Sequence, residues 1–584
     1  MKRILSIIIA VILVAAMILL AVKVKDPMYS NDKAGEGGLQ KPEGVSAAAD
    51  KAAALHEDGT IILWYADDSL TEYITDIALA YRTETGVKVK PELVSGVELL
   101  EQINHASIYE GSVENGETVV APDLYVTTHD NLMKAYYAGL ASEITDPQKV
   151  INAINYPQTS LHAIRCAGKY VGYPLYYETN FLLYNKTYMA NIAKQNLGGD
   201  ENGEAFFEEY EEQDAGAAAG TANETTGESL SGVSGNETDR TADASGNGIK
   251  VVNTVGRAAV SADAAGREDA SEQTAAGASE QTAAGADEET PADGTDEEDP
   301  MGEEDVTADP QVLEKLANMI PATIDDILTF ANNYDAPEEV EAIFKWDVSD
   351  IFYNYFFVGN YMNVGGEDGD DNSYFNIYNQ QAVDCLKVYQ NINQFFSIDS
   401  KAVTYDNILE EFIEGKTVFT VATTDAIAKI KEARENGEFN YDYGVAVLPD
   451  ISTTLKARGL SETSTVVVNG YSFNKETAND FAEYMSYTRA ADIYKKAGRI
   501  SCLKNVDYED KEIRNVMQEY EKSVPLPKMI EAGNYWVQLE IAFTKVWNGA
   551  DPDETLKELN DTIGEQIDEL EQHVLTQESI KVGY

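Results

Sequence analysis

Residues 172–186 read GYPLYYETNFLLYNK, and this stretch combines two features that a single buried strand does not share. Phe181 to Tyr184 form a continuous apolar run, which is typical of a strand covered on both faces. Directly before it, Glu178 follows Tyr176 and Tyr177. A buried strand explains the apolar run, but it does not explain a carboxylate beside two tyrosines.

Outward from this stretch, strands and helices alternate. Ile61–Tyr65 is an apolar strand candidate, and the helix predicted after it places Tyr73, Ile77 and Tyr81 four residues apart before Gly86 ends it. Further strands are predicted at VKVKPEL, VAPDLYVTT, TVFTVAT, YGVAVLP and STVVVNGYSF, and further helices at residues 130–138, 380–396, 405–414, 423–436, 476–496, 510–522 and 553–573. This alternation predicts an α/β fold.

The composition excludes several classes of function. The chain has 43 basic and 101 acidic residues, a net charge of −58, which argues against a nucleic-acid partner because phosphate binding needs a basic surface. Three cysteines and five scattered histidines have no disulfide or metal-ligand spacing, so no metal and no cofactor are predicted. The sequence also lacks nucleophile motifs and phosphate-binding glycine loops, so no catalytic residue is assigned. The prediction that the chain is not an enzyme rests on the family resemblance described below.

The N-terminus predicts attachment to a membrane. Ile4 to Val22 is a stretch of 19 residues interrupted only by Ser6, close to the roughly 20 residues that a spanning helix needs. A signal peptide has a shorter apolar core and a small-residue cleavage site. We therefore predict an uncleaved anchor at residues 1–25, which holds the rest of the chain at the extracellular face, with a cleaved and secreted form as the alternative. Residues 26–56 are predicted to be a flexible tether.

Residues 200–309 differ from the rest of the chain. They contain 30 acidic residues against 4 basic ones, and the octapeptide ASEQTAAG occurs twice in succession. Such a segment buries too little apolar surface to offset the entropy of ordering it. We predict a disordered acidic insertion in a surface loop.

Aromatic residues and carboxylates recur together where predicted strands end and near one helix start. WYADD contains Tyr65 and Asp68, VTTHDN contains Asp130, YYETN contains Glu178, and GNYWVQ contains Trp536. Aromatic rings cover the apolar C–H face of a sugar, and carboxylates accept hydrogen bonds from its hydroxyl groups. Taken singly, each residue is better explained by packing or helix capping. Taken together, they favour a sugar site at the carboxyl ends of strands.

An ordered set of motifs also resembles a known family. DGTIILWYADD, APDLYVTTHDN, GLASEIT, GKYVGYPLYYETNFLLYNK, FIEGKTVFTVAT and YWVQLEIAFTKVWNG follow one another as in the extracellular solute-binding proteins of bacterial sugar ABC transporters, of the maltose/maltodextrin-binding type. The resemblance covers residues 57–197 and 312–573. No single motif is decisive, whereas the ordered set is specific.

The resemblance implies two α/β lobes with a ligand cleft between them, joined by crossings near residues 176–181, 464–470 and 505–513. The first lobe would comprise residues 57–177 with 470–510, and the second residues 178–199 with 310–469 and 511–573. In this arrangement the opening stretch crosses between the lobes, so that Phe181 to Tyr184 form a buried strand of the second lobe and Tyr177 and Glu178 face the cleft.

The resemblance also implies ligand-binding residues. By position, Asp68 and Glu178 match sugar-binding carboxylates, Asp130 a polar contact and Trp536 a stacking tryptophan. The chain departs from the family where Thr127 and Asp425 replace stacking tryptophans and Asn131 replaces an arginine. Rings that are predicted to compensate are those of Tyr65, Tyr177, Phe352 and Tyr353. The predicted ligand site is Asp68, Asp130, Glu178, Trp536, Tyr65, Tyr177 and Asp425.

The implied function is to bind a sugar or oligosaccharide, close on it and deliver it to the permease subunits of an ABC importer. The chain would act as a monomer, held near the permease by its anchor. Two alternatives remain open at this point. One is a secreted or anchored glycoside hydrolase that uses opposed carboxylates. The other is a sensor that passes its ligand-bound state to a signalling partner.

Overall fold

The computed structural model describes residues 59–114, 116–198, 309–530 and 533–582, and these belong to one compact unit. The predicted anchor and tether lie outside the described residues, as does the predicted insertion except for Asp309. That residue caps the helix Pro310–Ala317 by accepting from the backbone N–H of Gln311 at 2.8 Å. Within the described ranges, no helix has both the length and the apolar character needed to cross a membrane.

Strands and helices alternate through most of the described chain. The strands are β1 Ile61–Tyr65, β2 Val89–Leu93, β3 Val113–Glu114, β4 Glu117–Thr118, β5 Leu124–Thr128, β6 Arg165–Cys166, β7 Lys169–Tyr170, β8 Tyr173–Thr179, β9 Phe181–Asn185, β10 Ala342–Phe344, β11 Asn363–Val364, β12 Phe375–Asn376, β13 Thr417–Ala422, β14 Tyr443–Ala446, β15 Leu460–Val468 and β16 Val524–Pro525. The α-helices are Thr71–Thr85, Leu99–Ile108, Leu132–Tyr137, Gln158–Ala163, Lys186–Gly198, Pro310–Ala317, Ile324–Asn333, Ile351–Asn354, Gln380–Phe396, Tyr405–Ile413, Asp425–Glu435, Lys475–Glu483, Asp492–Ala497, Ile513–Lys522, Tyr535–Trp547 and Pro552–Val582. The predicted α/β character is confirmed.

Two main sheets organise these elements. The first lobe is the first of these sheets with the segments that contact it, and the second lobe is the second sheet with the segments that contact it. The first sheet has the order β16-β15-β5-β1-β2, and β8 also pairs with β15. In it β1 runs parallel to β2 and β5, while β15 runs antiparallel to β5 and β8. The second sheet has the order β10-β13-β9-β14. Mixed sheets covered by helices are typical of α/β proteins.

The opening stretch crosses between the two sheets. Its β8 half pairs with β15 in the first sheet, and its β9 half lies between β13 and β14 in the second. Asn180 alone separates the two strands, and its side chain is fully buried. Along β9, Phe181 and Leu183 belong to one buried cluster, while Leu182 and Tyr184 belong to the other. The apolar run is therefore a strand whose two faces pack into two different cores.

The predicted lobe boundaries are corrected at the other two crossings. All of Leu460–Val468 lies in the first sheet, so the chain returns to it before Leu460 and not near residue 470. Val524–Pro525 also pairs in the first sheet, so the next crossing follows Pro525 and not residue 511. The start of β15, LSETS, is rich in Ser and Thr and lacks the apolar signal by which its second half was recognised.

The single helix predicted at residues 476–496 is also corrected. The α-helix Lys475–Glu483 is followed by a π-helical turn at Tyr484–Thr488 and a separate helix at Asp492–Ala497. A π turn releases carbonyl groups from the regular hydrogen-bonding pattern. The carbonyl oxygens of Met485 and Ser486 accept instead from the hydroxyls of Tyr73 and Tyr156. The break is thus stabilised by contacts distant in sequence, which local periodicity cannot reveal.

A buried histidine connects three segments of the first lobe. His129 follows β5 and has no exposed surface. Its Nδ1 accepts from the backbone N–H of Thr463 at 3.0 Å, so Nε2 carries the proton and donates to the carbonyl of Leu526, also at 3.0 Å. Burial and the charge of Lys528 lower the pKa of His129 to about 3. The ring is therefore held neutral in the folded protein.

This histidine should make folding stability depend on pH. Since its folded pKa lies below the unfolded value of about 6.5, its contribution is complete above that pH and is lost as pH falls toward the folded value, with a slope of about 1.4 kcal/mol per pH unit. The difference in free energy of unfolding between wild type and His129→Gln, measured by urea denaturation, should therefore narrow as pH is lowered. A pH-independent difference for His129→Gln would contradict the prediction.

Candidate functional site

A cleft of about 570 Å³ lies where elements of the two sheets face each other. This volume falls within the roughly 300–1,000 Å³ that is usual for small-molecule sites. The first lobe contributes the ends of β8 and β15 and the turn after the helix Asp492–Ala497. The second lobe contributes Thr423 after β13 and the starts of three helices, Ile351–Asn354, Tyr405–Ile413 and Asp425–Glu435. The cleft is lined by Glu178, Asp350, Phe352, Tyr353, Tyr405, Asp406, Thr423, Asp425, Ala428, Lys429, Glu462, Ala497, Gly498 and Arg499.

Arg499 organises the first-lobe wall of this cleft. It follows Gly498, whose positive φ of 65° ends the helix Asp492–Ala497. The guanidinium group donates from Nη2 to Asp67 at 2.7 Å and from Nη1 to Glu178 at 2.8 Å, and it lies over the ring of Tyr176 at 5.3 Å. One cation thus holds together a carboxylate from the segment after β1 and a carboxylate from β8.

The two carboxylates paired with Arg499 respond differently to their surroundings. Burial alone would raise the pKa of Asp67, but hydrogen bonds from Ser69 and the charge of Arg499 hold it below its usual value. For Glu178, burial outweighs the charge of Arg499, and its pKa is raised. Arg499 was missed by the sequence analysis because a lone arginine after a helix-ending glycine carries no local sign of such partners.

A second glutamate lies beside Glu178. Glu462 of β15 is the register partner of Glu178 of β8, and directly opposed residues of antiparallel strands point to the same face. Burial raises the pKa of Glu462 to about 8, and the nearby charges of Asp130 and Glu178 contribute to this shift. A pKa of about 8 favours the protonated form of Glu462 at neutral pH.

The second-lobe wall is built around Asp425, at the start of the helix Asp425–Glu435. Its carboxylate accepts from the hydroxyls of Tyr405, at 2.7 Å, and of Thr423, and it pairs with Lys429 at 2.9 Å. Although burial opposes ionisation, these hydrogen bonds keep the pKa of Asp425 below its usual value. The ring of Tyr353 stacks on that of Tyr405 with a centroid distance of 4.8 Å.

Three aromatic side chains line the cleft, but they differ in the surface that they offer to a ligand. Tyr405 has Tyr353 stacked on its ring and Lys429 5.3 Å from its centroid. Tyr353 is almost completely buried. Phe352 is half-buried and packs edge to face with Tyr353 at 5.9 Å. Phe352 and Tyr405 are both half-buried, but of the two only Phe352 has neither a stacked ring nor a cation over its face among the described residues.

The structure places Glu178 and Asp425 together at this cleft, on opposite walls. Asp130 lies just outside the lining residues; its carboxylate accepts from the hydroxyl of Thr128 and contributes to the shift in Glu462. Asp68 is exposed, whereas its neighbour Asp67 caps the turn at Ser69 and turns toward Arg499. Because Asp67 caps the following helical turn, Asp67 and not Asp68 contacts Arg499 at the cleft.

Three aromatic residues predicted for the site lie elsewhere. Tyr65 is almost fully buried and donates to the hydroxyl of Thr71 at 3.1 Å. Tyr177 has no exposed surface and stacks on Tyr520 at 3.9 Å, because alternation along β8 directs it away from the face that carries Tyr176 and Glu178. Trp536 is half-buried and packs edge-on against Tyr355 at 5.5 Å, outside the lining of the cleft.

A smaller cavity of about 330 Å³ opens beside Asp67 in the first lobe. Thr127 and Asn131 line it, together with Lys134 and Tyr176. Thr127 and Asn131 are small polar side chains at the positions where the family resemblance places a tryptophan and an arginine. The cavity shares Asp67 with the ion pair of Arg499, so it lies directly behind the first-lobe wall of the cleft.

No group of three potential metal ligands was found among the described residues. Cys166, Cys385 and Cys502 are buried free thiols. The chemistry that the cleft offers is therefore that of carboxylates, two paired cations and aromatic rings.

Comparisons with known proteins agree on one relationship. No protein-family model matches the chain. Among curated proteins, the maltodextrin-binding protein MdxE of Bacillus subtilis is 23% identical over 206 residues, or 34% of this chain and 48% of that relative. The matched region thus spans about half the length of this curated relative.

Solved structures match over nearly the whole fold. An extracellular solute-binding protein from Staphylococcus aureus in complex with maltose has 17% identity and a TM-score of 0.56, covering 88% of this chain and 98% of its own. A maltose-binding periplasmic protein from Listeria monocytogenes in complex with maltose has 15% identity and a TM-score of 0.55, covering 87% and 98%. The resemblance drawn from the sequence is therefore confirmed at the level of the fold, which is similar to that of solute-binding proteins solved with maltose.

Proposed function

We propose that the chain is the extracellular substrate-binding component of a carbohydrate ABC importer. It would bind a sugar or oligosaccharide in the cleft between the two sheets. The observation that carries this proposal is the cleft itself, in which an accessible ring, Phe352, lies among carboxylates from both lobes. Its fold, which is that of proteins solved with maltose, supports the same role.

The proposed binding mode follows from the chemistry of the two walls. A sugar ring presents an apolar C–H face, which stacks on an aromatic ring, and a rim of hydroxyls, which donate to carboxylates. Phe352 would supply the stacking face, while Glu178 and Asp425 would accept hydrogen bonds from opposite sides. Asp68, Asp130 and Trp536 remain predicted contacts of a longer ligand that extends beyond this cleft.

Ligand binding would favour a closed arrangement of the lobes. Glu178 belongs to the first sheet and Asp425 to the second lobe, so a ligand that contacts both stabilises their approach. The closed form would then dock on permease subunits, which perform the ATP-driven step. The predicted N-terminal anchor would raise the concentration of the loaded protein near the permease.

A glycoside hydrolase is the second candidate, and one observation favours it. Glu462 has a raised pKa and Asp425 a lowered one, and such divergence is how hydrolases separate an acid from a base. Incubation of the chain without its predicted anchor (residues 26–584, the ectodomain) with maltodextrins, followed by chromatography of the products, separates the two functions. Shortened products, lost in Asp425→Asn, would establish the hydrolase and overturn the binding role.

Removal of the accessible ring should weaken sugar binding. We expect Phe352→Ala to reduce the affinity for the best-binding oligosaccharide by about 1–3 kcal/mol, because the sugar loses its stacking surface. Isothermal titration calorimetry of the ectodomain measures this effect directly. Phe473→Ala is the matched control, since Phe473 is 57% exposed and lies outside the cleft. Equal affinities for all three proteins would exclude Phe352 from the site.

Loss of the charge on Glu178 should also weaken binding. Glu178→Gln removes a charged acceptor for sugar hydroxyls and one partner of Arg499, and we expect affinity to fall roughly tenfold or more. Glu143→Gln is the control, because Glu143 is an exposed partner of Lys169 in the same lobe. Since both substitutions preserve side-chain shape, melting temperatures should change little. Unaltered affinity in Glu178→Gln would place the ligand elsewhere.

A further inference from the structure

Two glutamates oppose each other inside the first sheet, at the edge of the cleft. Glu178 and Glu462 are register partners on β8 and β15, so their side chains share one face. Like charges directly opposite on neighbouring strands destabilise a sheet. The pairing of β15 with β8 on one side and β5 on the other holds these residues in register. The fold thus holds two carboxyl groups side by side at the position where a ligand would lie.

Neither cation of the cleft forms an ion pair with Glu462. Arg499 is engaged by Asp67 and Glu178, and Lys429 is engaged by Asp425 and Asp406. Within the described part of the chain, the carboxyl group of Glu462 has no hydrogen bond or ion pair. It is half-buried and lines the cleft. One carboxyl group is therefore left for a partner that the chain itself does not provide.

The overall charge of the lining points to the sign of that partner. The cleft contains five carboxyl groups and two cationic side chains, and Asp130 lies close to Glu462 behind them. A cation entering this space would gain attraction from several carboxylates in partly desolvated surroundings. A bare metal ion is a poorer fit, since no group of three suitable ligands was found among the described residues.

From this arrangement we infer that the ligand of the cleft carries a protonated amine, as an amino sugar does, and that its ammonium group lies between Glu462 and Glu178. This inference rests on the proposed carbohydrate-binding function and names the class of sugar. The sugar ring would stack on Phe352 while the ammonium donates to both glutamates. A neutral sugar would instead leave Glu462 protonated, so that Glu178 would be the only charged acceptor of the two glutamates.

Proton release is an independent consequence of this binding mode. Burial, with Asp130 and Glu178 nearby and Arg499 opposing them, raises the pKa of Glu462 to about 8. An ammonium group favours the ionised carboxylate, so below that pH binding should displace a proton from Glu462. A neutral sugar that only accepts or donates hydrogen bonds should release none. Calorimetry in two buffers of different ionisation enthalpy, at a pH low enough that the free sugar is already fully in its ammonium form, measures the number of protons released from the protein.

The test compares matched sugars on the intact ectodomain. Two glucose trisaccharides are used, one α-1,4-linked and one β-1,4-linked. Each is tested in three forms: the neutral glucose form, the form that carries free amino groups, and the N-acetylated form of that amine. In at least one linkage, we expect the amine form to bind roughly tenfold or more tightly than both neutral forms at neutral pH. Raised salt should reduce this preference.

The variant Glu462→Gln tests whether the preference for the amine-bearing sugar depends on the two opposed glutamates. Glu462→Gln replaces a protonated carboxyl with an amide of the same shape, so the protein should fold with a similar melting temperature. The variant should lose the preference for the amine and the release of a proton. Glu143→Gln, which removes a carboxylate of the same lobe outside the cleft, should retain both.

The outcomes separate this inference from the proposed function. Binding of neutral and amine-bearing sugars with equal affinity would overturn the amino-sugar assignment and leave the carbohydrate-binding role standing. A preference that survives in Glu462→Gln would overturn the assignment to this site. The absence of binding to every trisaccharide would overturn both proposals.

Discussion

The passage of the chain from one sheet to the other through a single residue is the constraint on which the rest of the structure depends. Thr179 ends a strand of the first sheet, Asn180 is buried, and Phe181 begins a strand of the second. With one joint residue, the two sheets cannot move far apart at this point. Residues just before the joint, Glu178 above all, are therefore held at the boundary where the cleft opens.

Electrostatics then determine which side chains face that boundary. Arg499 reaches Asp67 and Glu178 from the end of a helix far along the chain, and Lys429 performs a similar role for Asp425 on the other wall. Partly buried ion pairs of this kind recover much of the desolvation cost of their charges only when the geometry is good. They fix Asp67, Glu178 and Asp425 in orientation. Neither cation forms an ion pair with Glu462.

The predictability of each feature follows the range of the interactions that produce it. The strand Ile61–Tyr65 and the helix Thr71–Thr85 were recognisable because apolar spacing is a local signal, and the family resemblance supplied the two-lobe arrangement. The site was recognised only in part. Adjacent residues on a strand face opposite ways, so Tyr177 and Glu178 cannot both point to the same face of β8. Arg499 and Glu462 depend on contacts between distant segments, which a single sequence does not display.

The opposed glutamates show how such a fold accommodates function at a cost to stability. A hydrophobic or amide residue at either position would relieve the repulsion without altering the backbone pairing. The structure instead lowers the cost by protonation, since a neutral Glu462 beside Glu178 repels it little. The same protonation is reversible, so the carboxyl group remains able to ionise when a cation arrives. A buried pair that is tolerable when neutral and attractive when charged is thus suited to distinguish a cationic ligand from a neutral one.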